Sequence, residues 1–133
     1  LIASWIVWPS YISGWAAIHY HHLTEQLPFA IQVITTKRRK IKNLTYRNAK
    51  IEFTMVKPSF FTGFQRVLYS QQTIFIAEKE KALVDALATK KMSLPESIDI
   101  IKRNKRKIHR RKLFVYAKMV KGLAPKLRRA FHD

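Results

Sequence analysis

The apolar positions change period along the chain, and the elements follow from those changes. After Pro9, Ile12, Trp15, Ala16, Tyr20 and Leu23 recur at helical spacing with Ser10 in the N-cap position, which predicts a helix over 10–23. Pro28 breaks it. Residues 29–36 are short and rich in β-branched side chains, as a strand would be. Residues 44–46 and 50–57 read as a hairpin around Arg47, Asn48 and Ala49, with Ile51, Phe53 and Met55 alternating with Glu52 and Thr54. Pro58 ends it, and 67–69 and 73–76 read as two more short strands. The helical period then returns. Ile76, Ala82, Leu83, Ala86 and Leu87 share one face over 77–88, with Glu78, Lys79, Lys81 and Asp85 mostly off it. Leu94, Pro95 and Glu96 start another helix with proline in its first turn and Ile98 and Ile101 inward. A third runs over 109–121 on Leu113, Tyr116, Ala117 and Val120, Gly122 caps it, and Pro125 opens a last short helix to Phe131. This order predicts an α+β fold: a small mixed sheet packed by helices, with a basic helical C-terminal segment. Residues 1–92 form the α+β domain, and 93–133 a helical extension packed on it. Ile31, Val33, Ile51, Phe53, Leu83 and Leu87 are expected to meet in one core.

Charge adds what the pattern does not. The chain holds 26 Lys and Arg against 8 Asp and Glu, a net +18 in 133 residues. Such an excess costs self-repulsion, and a polyanionic partner explains it. It is also uneven. Up to Thr36 the only charged residue is Glu25. Lys37, Arg38, Arg39, Lys40 and Lys42 form one basic run; Lys102, Arg103, Lys105, Arg106, Lys107, Arg110, Arg111 and Lys112 form a longer one. A solvated face mixes both signs, whereas from Ile100 onward the only acid is Asp133. The expected nucleic-acid contacts are Lys37 to Lys40 and the eight bases of the long run.

Catalytic chemistry finds little material. There is no Cys, so neither a disulfide scaffold nor a thiolate site exists. Three Gly leave no phosphate-cradling loop. His19 and His22 share a helix face with Glu25 one turn on, a potential zinc set, but the H-E-x-x-H arrangement is absent. A nuclease would need clustered carboxylates to hold magnesium. The eight acids are scattered, and on a helix Glu78 and Glu80 point about 200° apart. Asp85 reads as the partner of Lys81 one turn back. No catalytic residue, metal or cofactor is assigned. Trp5, Trp8, Tyr11, Trp15 and Tyr20 fall in the nearly uncharged segment and read as packing material; only Phe114 and Tyr116 neighbour the long basic run. The apolar opening stops at Pro9, short of the roughly 20 residues of a spanning helix. Beginning on Leu within an element, the chain reads as a fragment without its N-terminal part, and no membrane partner is expected.

Two blocks carry a family resemblance. Pro9-Ser10-Tyr11-Ile12-Ser13-Gly14-Trp15-Ala16-Ala17-Ile18, then Leu23-Thr24-Glu25-Gln26-Leu27-Pro28 and Thr35-Thr36-Lys37-Arg38, make the first; Ile76-Ala77-Glu78-Lys79-Glu80-Lys81-Ala82-Leu83-Val84-Asp85 is the second. Together they resemble the C-terminal domain of AbiEi-type antitoxins, transcriptional regulators of a predicted viral defence system. The resemblance covers about residues 1–90. It departs from the family at His22, where a small Gly is common, and in lacking the family's N-terminal winged helix. It implies an α+β domain contributing to antitoxin activity in the cytoplasm. It also implies a nucleotidyltransferase toxin as functional partner, neutralised without a stable complex. The expectation is a non-enzymatic regulator of a toxin–antitoxin (abortive infection) system, binding DNA or RNA through its basic surface. A stand-alone DNA- or RNA-binding protein and a metal-dependent nuclease are the alternatives.

Overall fold

Sequence pattern and structure first part company at Ser10. In the computed structural model, which describes residues 7–69 and 71–132, Ser10–Ser13 form a strand, β1, and the helix α1 spans only Gly14–Tyr20. There follow β2 (Ile31–Thr35), β3 (Asn43–Tyr46), β4 (Ala49–Met55), a 3-10 turn at Pro58–Phe60, β5 (Phe64–Tyr69) and β6 (Gln72–Ala77). The helices α2 (Lys79–Ala88), α3 (Leu94–Arg103), α4 (Arg110–Ala117) and α5 (Leu123–Leu127) complete the described chain, with a 3-10 turn at Arg128–Phe131. The class is α+β, as the element order predicts. Trp5 and the apolar run before Val7 lie outside the described residues.

The strands form a six-stranded mixed sheet in the order β3-β4-β2-β1-β6-β5. β1 is extended because it pairs on both sides, antiparallel with β2 and parallel with β6. All four of its residues are buried, so it shows no alternation, and its pairing overrides the helical spacing of Ile12. Gly14 makes the strand-to-helix turn at φ +63°, and a Cβ there would lie 2.5 Å from Gln32 Oε1. The predicted hairpin is present. Arg47 and Asn48 both have positive φ, the conformation of a two-residue type I′ turn whose twist matches its flanking strands.

α2 crosses the strands instead of following one. Asp85 meets Tyr11 and Ser13 of β1, Thr89 meets Gln32 of β2, and Lys91 pairs with Glu52 of β4. The strand register therefore divides the sheet's side chains into two rows. Tyr11, Ser13, Gln32 and Ile34 face α2. Ile12, Val33, Phe53 and Ile76 point the other way. Val33, Ile51, Phe53 and Leu83 all belong to the buried core cluster, with Ile31 and Leu87 packed against it. Leu83 is fully buried, and Leu83→Ala should cost roughly 2–5 kcal/mol in urea denaturation. A smaller loss than 1 kcal/mol, of the order seen at surface positions, would contradict its central place.

Three expectations need correction. Lys81 and Asp85, expected mostly off the apolar face of α2, are buried, and so is Glu80. Met55 is 57% exposed despite its alternation with Phe53, because it ends β4 at the rim of the sheet. The helix predicted over 109–121 stops at Ala117. Gly122, at φ +77°, is the N-cap of α5, which starts two residues before Pro125 and buries Leu123, Ala124 and Leu127. α3 begins where predicted, and a reciprocal capping box between Ser93 and Glu96 fixes its start. Among the described residues no helix is long and apolar enough to cross a membrane.

Candidate nucleic-acid interface

The eight bases of the long run fall on one short, exposed stretch of chain. Lys102 and Arg103 end α3, Lys105, Arg106 and Lys107 lie in the connection, and Arg110, Arg111 and Lys112 make the first turn of α4. All eight are exposed. Cations suit the C-terminal end of α3, whose dipole is negative there, but they oppose the positive start of α4, which has no acid in its first turn. That arrangement costs local stability and concentrates positive potential. An anion placed there relieves it. Lys102, Arg106 and Arg111 have no hydrogen-bond or ion-pair partner among the described residues, whereas Arg103 pairs with Asp99 and Arg110 lies 4.7 Å over the Phe131 ring.

The backbone beneath this surface is pinned. Asn104 Nδ2 donates to the carbonyls of Leu23 and Ile100 at 3.0 and 2.7 Å, and Lys107 Nζ to that of His22 at 3.3 Å. On the other side two acids of the α2 end act as anchors. Glu80 Oε2 accepts the His109 backbone N–H at 2.7 Å, and Glu78 accepts from the Tyr116 hydroxyl at 2.6 Å and from Lys112 at 3.2 Å. Glu78 and Glu80 are thus engaged in holding α4 against α2. Gly63 lets this corner close: a Cβ there would meet Lys81 Cγ at 2.8 Å and Tyr116 Cζ at 3.0 Å.

The Tyr116 hydroxyl holds the Glu78 carboxyl below its ordinary range, with Lys112 adding to the effect. A carboxyl lowered in the folded state contributes stability above its unfolded pKa, and that contribution is lost as pH falls through the folded value. Wild type should therefore exceed Tyr116→Phe in stability at neutral pH, by a margin that shrinks on acidification below about pH 4. Denaturant titrations at neutral and acid pH read this directly. A margin independent of pH would contradict the role of the Glu78 charge.

The shorter run has a different setting. Lys37, Arg38, Arg39, Lys40 and Lys42 line a groove of about 800 Å³ together with Thr35, Phe53, Thr54 and Met55. The Arg39 guanidinium lies 3.9 Å over the Phe53 ring. Phe53 belongs to the row facing away from α2, so the groove opens on the side of the sheet opposite α2, against which α4 packs. The two runs, adjacent in neither sequence nor space, form two separate basic regions. The sequence shows these five bases as one run, with Lys37 to Lys40 as the expected contacts; the structure adds Lys42 to them and a Phe53 floor, which β4 supplies across a strand pairing.

The other residues that the sequence singled out have structural settings among the described residues. His22 lies beyond α1 at φ 61°, so the spacing from His19 does not place both on a helix face. Among the described residues no three His, Asp or Glu side chains are grouped to hold a metal ion. Asp85 pairs with Lys81 at 2.8 Å, both fully buried. Of the aromatic residues, Tyr11 is buried, Trp15 half-buried and Trp8 exposed against Phe61, Phe64 and Phe75. Comparisons with protein-family models and with curated proteins found no match for this chain.

Proposed function

We propose that this chain is a nucleic-acid-binding regulator domain, the antitoxin component of an abortive-infection toxin–antitoxin pair, and not an enzyme. The observation that carries the nucleic-acid part is the surface over 102–112: eight exposed bases on a pinned backbone, three of them crowding the positive end of α4. A fold that tolerates this charge against its own helix dipole is suited to a phosphate backbone. The antitoxin part rests on the resemblance to AbiEi-type antitoxins. In support, the two segments that carry it pack as one unit. Tyr11 and Ser13 of the first donate to Asp85 of the second, and Lys81 donates back to Tyr11. The non-enzymatic reading is supported by the work already done by Glu78, Glu80 and Asp85, each engaged in holding elements together.

The partners on this reading are DNA or RNA inside the cytoplasm and a nucleotidyltransferase toxin that is countered without a stable complex. Two measurements test it. The chain should bind unrelated duplexes with similar affinity, because its exposed segment has little beyond arginine to read base edges. The reading frame beside its gene should encode a nucleotidyltransferase, and co-expression with that enzyme should restore growth that the toxin alone arrests. Binding without rescue would favour a stand-alone nucleic-acid-binding protein. Magnesium-dependent cleavage of plasmid or RNA, abolished by EDTA, would favour a nuclease.

A further inference from the structure

The groove lined by the β2–β3 connection and the end of β4 differs from the surface over 102–112 in floor and in position. Its volume of about 800 Å³ is that of a small-molecule cleft. Five bases line it and no carboxylate does. Its floor is not purely polar, since Phe53 and Met55 contribute to it. Arg39 is half-buried, with its guanidinium carbon 3.9 Å over the centroid of the Phe53 ring, and it lines the groove. A planar cation placed in this way is a stacking platform for a nucleobase, as guanidinium planes and aromatic rings both are. Met55 and Ile41, 57% and 60% exposed, supply apolar surface among the charges. Phosphates of the same strand would meet Lys37, Arg38, Lys40 and Lys42.

We propose that this groove is a second binding site, specific for single-stranded nucleic acid, in which a base stacks on the Arg39–Phe53 pair while the flanking phosphates engage the surrounding bases. It rests on the nucleic-acid reading above and divides it: duplex backbone on the α3–α4 segment, single strand on the opposite side of the sheet. Bases buried in a duplex cannot reach a guanidinium plane in a cleft of this size. A duplex can offer the groove only its phosphates.

The test is fluorescence anisotropy on the full chain with three probes of about 12 nucleotides, within the span of known single-strand sites: oligo-dT, oligo-rU and a mixed-sequence duplex. Arg39→Lys keeps the charge and removes the plane. It should lower affinity for single strands about fivefold or more and leave the duplex within about twofold. A loss confined to the deoxy or the ribo probe supports the site and names its strand. Phe53→Leu should reproduce the loss, with a thermal melt to confirm folding; because Phe53 is buried, Arg39→Lys carries the decision. Reversal of Lys105, Arg106, Arg110 and Arg111 to Glu should show the opposite selectivity, weakening the duplex most. If wild type binds duplex and Arg39→Lys binds single strands as well as wild type does, the groove inference is overturned while the nucleic-acid reading stands. If wild type binds none of the three probes, the nucleic-acid reading itself fails.

Discussion

Lys81→Met is expected to destabilise the fold by about 3–5 kcal/mol, although Met nearly matches Lys in length. The Lys81 and Asp85 side chains are fully buried and 2.8 Å apart. The ammonium group's three protons have three acceptors: Asp85 Oδ1 at 2.8 Å, the Phe60 carbonyl at 2.8 Å and the Tyr11 hydroxyl at 2.9 Å. It also lies 4.0 Å over the Phe60 ring. Asp85 Oδ2 accepts from Tyr11 at 2.8 Å and from Ser13 at 2.7 Å. Burial pushes the Asp85 carboxyl up and the Lys81 ammonium down, while their mutual attraction and hydrogen bonds oppose both shifts. Removing Lys81 leaves the carboxylate buried without its counter-charge. The double variant Lys81→Met/Asp85→Leu should recover part of the loss, because an apolar pair avoids that penalty. It still orphans two hydroxyls. Urea denaturation of the three proteins decides. A single variant within about 1 kcal/mol of wild type, the typical worth of an exposed pair, would show that the network does not hold α2 on β1.

The second large effect lies at the interface. Changing Lys105, Arg106, Arg110 and Arg111 together to Glu should weaken duplex binding for every sequence alike, and should flatten the logarithmic salt slope by about 4. The surface these residues occupy is exposed, so the fold should survive. The anchors beneath it, Asn104 and Glu80, are untouched by the change. The same reversal at Lys37, Arg38, Arg39 and Lys40 should leave the duplex slope nearly as it was, since those residues line the groove on the other side of the sheet. Equal duplex binding before and after the first reversal would detach this surface from nucleic acid.

What the sequence made legible was what is local in it. β2, the hairpin of β3 and β4, and the apolar cores of α2 and α3 announce themselves through period, turn residues and caps. The basic segment does so through its charge. β1 was hidden because a central strand of four buried residues has no alternation, and Ser10, Ile12 and Trp15 happen to fit a helical spacing. Lys81 and Asp85 looked like a surface pair because opposite charges one turn apart usually are. The hydroxyls of Tyr11 and Ser13, more than 70 residues from Asp85 in sequence, and the Phe60 carbonyl explain their burial. The Arg39–Phe53 stack was illegible for the same reason. Its two halves come together through the parallel pairing of β2 with β4, which no local pattern encodes.

If the charge over 102–112 serves a phosphate backbone, binding must depend steeply on salt. Duplex affinity of the intact chain should be measured from about 50 to 200 mM salt. If six of the eight bases contact phosphates, the log–log slope should be about −5, a fall of roughly a thousandfold across that range. A slope near zero, or no measurable duplex binding at the lowest salt, would show that these bases do not serve a phosphate backbone.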